Sequence, residues 1–172
     1  MKFLAGIFFC AAVLLSCRPS EETMWEEAKA ALDAGKLTES MTQLDRLLIK
    51  NDRHVKAWNA RGVVKFRLKR YGQALKDFDM AAKLDTLDYR PLFNKANVLR
   101  DQQKFSEAVS FYTKALRLRP NVMEIYNNRG YAFFKLGKLN KAKEDFRFAL
   151  RLAPDSEAVK NNLSKIEEMK AH

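Results

Sequence analysis

The sequence repeats itself every 34 residues, and this period restricts the fold more than any other feature of the chain. A fixed period of this length is typical of stacked architectures, in which each unit buries apolar surface only against its neighbours. We therefore predict a solenoid over residues 21–156, not a globule around one closed core. Four units follow one another without an insertion or a deletion, and they begin at Glu21, Val55, Tyr89 and Met123.

Each unit contains two runs in which apolar residues recur every three or four positions, separated by a short break. This spacing places the apolar residues on one face of a helix, so each unit is predicted to be a helix, a turn and a second helix. Small residues also recur in register, and a small side chain there would let two helices approach closely. The small residues are Ala28, Gly62, Ala96 and Gly130 in the first helices, and Ser40, Ala74, Ala108 and Ala142 in the second.

The helical pattern also has predictable ends. The second helix of the last two units should stop at Pro120 and Pro154, because a residue without a backbone N–H cannot continue a helix. The stretch 157–172 is predicted to be a capping helix that covers the apolar side of the last unit. Its apolar face carries Val159, Leu163 and Ile166.

Three features give the chain a family resemblance: Trp58-x-x-Arg61-Gly62, Ala74-x-x-x-Phe78-x-x-Ala81, and the closing Pro120 and Pro154. With these features the chain resembles tetratricopeptide repeats. The resemblance implies an all-α, right-handed superhelix of antiparallel helix pairs, with a concave groove lined by the first helices. The four repeats would be residues 21–54, 55–88, 89–122 and 123–156.

The N-terminal residues have the pattern of an export signal. One cation, Lys2, precedes the thirteen apolar residues of the segment 3–15. As a helix this segment reaches about 20 Å, which is too short for the roughly 30 Å of a bilayer core. Its length is typical of the core of a signal peptide.

The end of this segment, Leu14-Leu15-Ser16-Cys17, resembles the lipobox of bacterial lipoproteins. The resemblance implies a signal peptide of residues 1–16, a diacylglycerol-modified Cys17 and a short linker within residues 17–20. Arg18, and not an acidic residue, follows the cysteine. In this respect the chain resembles lipoproteins of the outer membrane more than those of the inner membrane. The alternatives to this lipid-anchored envelope protein are an ordinary secreted protein and an uncleaved anchor.

The concave surface should be formed by side chains three and four positions apart on the first helices, away from the small residues. Asparagine is frequent among them, and its donor and acceptor could pair with the backbone of an extended peptide while aromatic residues accept side chains. Solvated polar surface is the alternative interpretation. The predicted groove residues are Asn59, Val63, Phe66, Arg90, Phe93, Asn94, Asn97, Arg100, Asn127, Asn128, Tyr131 and Phe134, flanked by Lys56 and Arg67.

Many chaperone-binding members of this family use a carboxylate clamp made of Lys, Arg and Asn side chains. This chain departs from that pattern, so we do not expect it to recognise a C-terminal EEVD-like carboxylate. The clamp positions hold Val63, Glu124 and Asn128 in one set of three units, and Trp25, Ala60 and Asn94 in the other.

Basic residues recur beside the small-residue column, at Arg61, Lys95 and Arg129. They could form a basic binding stripe, but we favour ion pairs within repeats. Asp77 and Asp145 stand sixteen positions after the two arginines, whereas the third unit has Phe111 at this position and should lack the pair. If exposed, each pair would contribute about 0–1 kcal/mol.

The chain is basic, with 32 Lys and Arg against 21 Asp and Glu. Removal of residues 1–16 takes away only Lys2 and leaves a net charge of +10, which favours anionic partners. Nucleic acid is not predicted, because the chain has no recognised nucleic-acid-binding motif and an exported protein rarely meets it. Part of the charge should be solvated convex surface, as at Arg117, Arg119, Arg147 and Arg151.

The sequence offers no catalytic constellation. Both cysteines precede the repeats, the two histidines are too few for a zinc site, and no glycine-rich phosphate loop is present. We therefore predict a non-enzymatic module without metal or cofactor: a lipid-anchored adaptor that binds an extended segment of an envelope protein. The alternative function is a peripheral module that binds anionic lipid or glycolipid, and homodimerisation through an end repeat stays open.

Overall fold

The computed structural model describes residues 19–168, and every regular element in this part of the chain is an α-helix. The prediction of an all-α fold is therefore confirmed. The predicted signal peptide, Cys17 and residues 169–172 lie outside the described residues. The helices are α1 (Glu21–Asp33), α2 (Leu37–Lys50), α3 (Val55–Arg67), α4 (Tyr71–Leu84), α5 (Tyr89–Asp101), α6 (Phe105–Leu118), α7 (Met123–Lys135), α8 (Leu139–Leu152) and α9 (Glu157–Glu168).

The first helix of each unit begins at the residue where the 34-residue period begins. Three of these helix starts are capped by the side chain of the preceding residue. Ser20 Oγ accepts from the backbone N–H of Thr23 at 3.0 Å, and His54 Nδ1 accepts from that of Ala57 at 3.1 Å. Asp88 caps α5 in the same way. Each cap satisfies an N–H group that has no partner within its helix.

Each hairpin turns through one residue with a left-handed backbone, at the same position of every unit. Gly35 and Gly137 adopt φ values of 73° and 70°, which glycine accepts without steric cost. Lys69 and Gln103 adopt 60° and 61° at the equivalent positions, although residues with a Cβ atom rarely do so. The turn geometry is therefore imposed by the hairpin, not only by the residue type.

The helices form a curved stack. Within each hairpin the two helices pack along their length, and the second helix also packs against the first helix of the next unit. The first helices of successive units touch one another, from α1 and α3 through to α7 and α9. Among the described residues the second helices make no such contact with each other. The layer of first helices is therefore the tighter one and lies on the inside of the curve.

The small-residue columns sit at the helix contacts, as the sequence predicts. Ala74, Ala108 and Ala142 are fully buried, and the buried Ser40 donates a hydrogen bond of 2.8 Å to the carbonyl oxygen of Ala28. Gly130 meets the ring of Phe146 so closely that an added Cβ would lie 2.8 Å from Cε1. The glycine positions therefore set the distance between the two helices of a hairpin.

The two predicted ion pairs within repeats are present. Arg61 donates two hydrogen bonds of 2.9 Å to Asp77, and Arg129 donates two of 2.8 Å to Asp145. Both carboxylates are buried, with 4% and 7% of their side chains exposed. These pairs are therefore not the exposed kind that contributes little to stability.

The third unit does pair its cation, but with a partner in the preceding unit. Lys95 forms an ion pair with Asp79, sixteen positions earlier, and its Nζ also lies 4.6 Å from the centroid of the Phe111 ring. Arg61 likewise reaches backward to Asp45 at 2.7 Å. The basic residues at this repeat position therefore also join neighbouring units, whereas the sequence predicted ion pairs only within units.

The capping helix α9 covers the end of the stack. Val159 and Ile166 are fully buried, and Leu163 packs beside them against the cluster that contains Phe146 and Ala149. None of the helices within residues 19–168 has the length and apolar character needed to cross a bilayer.

Candidate functional site

The predicted groove residues lie on the inner layer of first helices, and most of their side chains are half-buried. This layer is open to solvent on the concave side, since the second helices cover only its outer side. The predicted residues differ in their contacts. Some line a cleft, some pair with each other, some pack into the framework, and Arg90 pairs with the acidic residue that caps its own helix.

A cleft of about 660 Å³ opens between the third unit, the fourth unit and the capping helix. Its volume is within the range of roughly 300–1,000 Å³ that is usual for ligand sites. Four predicted groove residues meet there: Arg100, Asn127, Asn128 and Tyr131. The remaining lining residues are Asp101, Gln103, Phe105, Lys135 and Asn162.

Asparagines of successive first helices pair with one another along the groove. Asn94 Nδ2 donates to Asn59 Oδ1, and Asn128 Nδ2 donates to Asn97 Oδ1, both at 3.0 Å. The asparagines are therefore held by each other and are not simply solvated. A third pair of the same kind, Asn162 Nδ2 to Asn127 Oδ1 at 3.0 Å, joins α9 to α7.

This pairing leaves hydrogen-bonding capacity on each amide. An asparagine side chain has two N–H donors and an oxygen with two lone pairs. In the pair of Asn162 and Asn127, the Asn127 amide keeps its N–H donors and the Asn162 oxygen keeps its lone pairs. A peptide backbone needs both a donor and an acceptor, so such a pair is suited to bind one.

Asn97 has an additional structural role. It accepts a hydrogen bond of 2.6 Å from the hydroxyl of Tyr112, a fully buried residue of α6. Burial raises the pKa of this hydroxyl well above its ordinary value of 10.0, and it stays protonated as a donor. Asn97 therefore connects the groove surface to the core and is less available to a ligand than the other asparagines.

The aromatic groove residues mostly pack against the framework. Phe66 contacts the ring of Tyr71, with 6.0 Å between centroids, and Phe93 contacts that of Tyr112 at 6.1 Å. Val63 packs with Phe66 beside the core cluster around Phe78. These side chains do not line the cleft, and their contacts are with residues of the helical framework.

Phe134 lines a second, smaller cleft of about 260 Å³ together with Tyr131, Asn162 and Lys165. Tyr131 thus stands between the two clefts, and its ring also meets Phe105 edge-on at 6.5 Å. The aromatic surface that a ligand could reach is therefore concentrated around Tyr131.

Two predicted cations are directed elsewhere. Arg90 binds the carboxylate of Asp88 at the start of its own helix, with an Nη2 to Oδ2 distance of 2.8 Å. Arg67 donates to the carbonyl oxygen of Leu32 at 3.0 Å and so ties the second unit to the first. Neither side chain lines the cleft.

Five lining residues of the cleft were not predicted from the sequence: Asp101, Gln103, Phe105, Lys135 and Asn162. A signal for Asn162 is nevertheless present, because it stands 34 positions after Asn128 and so continues the asparagine column into the capping helix. The capping helix is therefore also a wall of the candidate site.

The charge of the cleft is positive. Arg100 and Lys135 line it together with one carboxylate, Asp101, which accepts a hydrogen bond of 3.0 Å from Arg100 Nη2. Asp101 also lies 3.9 Å from the ammonium group of Lys69. Within residues 19–168, no three His, Cys, Asp or Glu side chains come together as ligands for a metal ion.

Family models support the repeat architecture. Models of the tetratricopeptide repeat match residues 26–88 and 124–156, and a model described as a TPR repeat matches residues 96–137. Tetratricopeptide repeat protein 16 of Homo sapiens is 27% identical over 146 residues, which are 78% of this chain and 17% of that protein. The chain therefore spans only about a sixth of the length of curated relatives that it matches.

Two solved structures are similar over most of the described helices. The first, MamA 41-end from Desulfovibrio magneticus RS-1, has a TM-score of 0.79 and 18% identity over 88% of this chain and 85% of that one. The second, the first TPR of Spaghetti (RPAP3) bound to the HSP90 peptide SRMEEVD, has a TM-score of 0.67 and 27% identity. It covers 69% of this chain and 94% of that one. The predicted superhelical fold is confirmed.

Proposed function

Because this chain is built from tetratricopeptide repeats, we propose that its concave groove binds an extended segment of a partner protein. The observation that carries the proposal is the cleft beside α9, where paired asparagines and Tyr131 face a polar cavity. The similar RPAP3 domain holds a peptide, which supports the same use of the fold here.

The chemistry of the groove fits a peptide backbone better than a compact apolar ligand. Asn127 and Asn162 offer complementary hydrogen-bonding groups, and most of the lining side chains are polar or charged. Recognition of an EEVD-like C-terminus by the family's clamp is not part of the proposal. Val63, Glu124 and Asn128 occupy the clamp positions in the last three units.

Binding without catalysis is the role that the proposal assigns to the chain. The sequence contains no nucleophile with a positioned base and no phosphate-binding loop. The adaptor would hold the bound partner in place and would leave any chemistry to that partner.

The same proposal includes an anchor at Cys17 that holds the partner at a bacterial membrane. The lipobox-like sequence Leu14-Leu15-Ser16-Cys17 supports it, and two or three acyl chains bind membranes far more stably than one. Growth with a radiolabelled fatty acid tests the anchor: the wild-type chain should incorporate label, and Cys17→Ser should not. Equal labelling of the two chains would exclude lipidation at this residue.

Site-specific crosslinking in the native envelope tests the groove. A photoreactive residue at Gln103, on the rim of the cleft, should give a discrete protein adduct. The same residue at Arg147, an exposed position on α8 that does not line the cleft, is the matched control.

The adduct at position 103 should disappear when Asn127→Ala is combined with Asn162→Ala. The double substitution removes both amides of the pair, so no amide is left without its hydrogen-bond partner. Folding should therefore be preserved, as circular dichroism would verify. An adduct that forms equally at position 147, or that survives the double substitution, would contradict groove binding.

The second candidate function is direct binding of anionic lipid or glycolipid by the basic outer surface. The charge excess of the chain and the exposed Arg117, Arg119, Arg147 and Arg151 favour it. In this case the unacylated body should bind vesicles that contain an anionic lipid, and the binding should be lost as the salt concentration rises. Absence of vesicle binding at low salt would exclude this alternative.

A further inference from the structure

We propose that the cleft beside α9 is a subsite for one carboxylate side chain, Asp or Glu, of the bound segment. The inference rests on the proposed function, because it concerns the same groove, and it adds which residue type the groove selects. Arg100 and Lys135 supply the positive charge, and the side-chain amides around them supply neutral donors.

The two cations come from different units and meet only in the folded chain. Arg100 is in the last turn of α5 and Lys135 is the last residue of α7. Equivalent ends of neighbouring first helices lie side by side in the stack, so both side chains reach one cavity. The C-terminal end of a helix attracts cations, which further favours basic residues at these positions.

The carboxylate of Asp101 does not neutralise the cleft. It accepts one hydrogen bond from Arg100, and its other oxygen faces Lys69 at 3.9 Å. A guanidinium group has five N–H donors, so Arg100 keeps donors for a ligand. The Lys135 ammonium lies 5.6 Å from the centroid of the Tyr131 ring. With two cations and one anion, the lining keeps one positive charge, which matches a single carboxylate.

The amides complete the donor set. Asn127 accepts from Asn162 through its oxygen, so its own N–H groups remain for an acceptor in the cleft. Gln103 lines the same cavity. A carboxylate accepts hydrogen bonds only, and charge-assisted bonds from Arg to a carboxylate are about twice as strong as neutral ones. The cleft should therefore prefer Asp or Glu over Asn or Gln.

The two cations of this subsite, Arg100 and Lys135, are not at the clamp positions discussed above, although Asn128, which also lines the cleft, is at one of them. The subsite lies at the ends of α5 and α7 and against the capping helix. The ligand that we propose for it is an acidic side chain, which does not require a free C-terminus. Gln103, which lines the cleft, is exposed, so the cleft is open to solvent at this residue.

Selection from a phage library of random twelve-residue peptides tests the subsite with the full chain. The wild-type protein should enrich peptides in which Asp or Glu is several-fold over-represented at one aligned position. The variant Arg100→Gln with Lys135→Gln should still enrich peptides, but without this acidic preference.

The matched control is Arg117→Gln with Arg119→Gln. It removes the same two charges from exposed positions outside the cleft, and it should leave the acidic preference unchanged. Thermal unfolding of all three proteins shows whether the variants remain folded.

The outcomes separate the two proposals. Enrichment of peptides by the wild type without an acidic position, or an acidic preference that survives in the cleft variant, overturns the subsite and leaves groove binding intact. Enrichment of no peptide at all by the folded wild type overturns both. An acidic preference lost equally in the control variant would mean that net charge, not the cleft, selects the acid.

Discussion

The ring of Phe78 lies against the backbone of Gly62, so closely that a Cβ atom on this glycine would be 2.5 Å from Cε1 of the ring. The two residues are on the two helices of one hairpin, and Phe78 is fully buried. The ring therefore cannot move aside without disturbing the core, and the glycine fixes how closely α3 and α4 approach.

The added Cβ of Gly62→Ala should cost about 1–3 kcal/mol, as is usual for overpacking a core. Alanine regains roughly 1 kcal/mol over glycine within a helix, so the free energy of unfolding should fall by up to about 2 kcal/mol. Gly72→Ala is the matched control, because nothing lies within 4 Å of the added Cβ there, and it should be neutral or stabilising. Denaturant unfolding checks both, and equal effects would contradict the close contact.

Asp77→Ala and Asp79→Ala compare a buried and an exposed ion pair on the same helix. Asp77 pairs with Arg61 and Lys65 and is 4% exposed, whereas Asp79 pairs with Lys95 and is 59% exposed. We expect a loss of about 3 kcal/mol at Asp77, the lower end of the range for a broken buried pair, because Arg61 keeps Asp45.

The loss at Asp79 should be about 0–1 kcal/mol, as is usual for exposed pairs. Chemical denaturation at neutral pH measures both variants. Similar losses at the two positions would show that burial does not determine the strength of these pairs.

Tyr112 should make the stability of the fold sensitive to alkaline pH. Burial raises the pKa of its hydroxyl in the folded chain, so above about pH 10 the unfolded chain loses this proton while the folded chain keeps it. The contribution of the protonated hydroxyl to the free energy of unfolding is fully present below about pH 10. It is lost as the pH rises toward the folded-state pKa, by up to about 1.4 kcal/mol per pH unit.

Tyr112→Phe removes this proton and the hydrogen bond to Asn97. The free energies of unfolding of the wild type and the variant should therefore converge as the pH rises above 10. Denaturant titrations at pH 8, 10 and 11 test this, and a constant difference between the two proteins would contradict the raised pKa.

Ile166→Ala should detach the capping helix. The side chain is fully buried against the last unit, and truncations of this kind cost about 2–5 kcal/mol. Hydrogen exchange should become faster throughout α9, because few other buried side chains hold it. Ser164→Ala, at an exposed position of the same helix, should leave the exchange rates unchanged. Equal protection of α9 in both variants would show that Ile166 does not hold the cap.

The periodic features were predictable because they depend on local spacing. Helix starts at Val55 and Tyr89 follow from the 34-residue period, and the contact of Gly62 with Phe78 follows from the column of small residues. The pairs of Arg61 with Asp77 and of Arg129 with Asp145 were also predictable, since sixteen positions bring two residues of a hairpin side by side.

Contacts between units were harder to predict, because they depend on how one hairpin sits on the next. Lys95 lacks an ion pair within its own unit, residues 89–122, as the spacing predicted, but it pairs backward with Asp79 of the preceding unit, which the spacing within units did not indicate. The groove asparagines satisfy one another across helices, as Asn94 and Asn59 do, instead of all facing a ligand. Packing decides these partners, and a repeat period alone does not specify packing angles.

The sequence by itself determined the all-α repeat architecture, since apolar and small residues recurring in register can be buried only by stacking similar hairpins. Only the tertiary structure decided which groove residues meet in one cavity. It brought Arg100 of α5, Lys135 of α7 and Asn162 of α9 to the same cleft, and it directed Arg90 away from it. The physical reason is that the curvature of the stack sets the distances between helix ends, and curvature arises from the packing of whole helices.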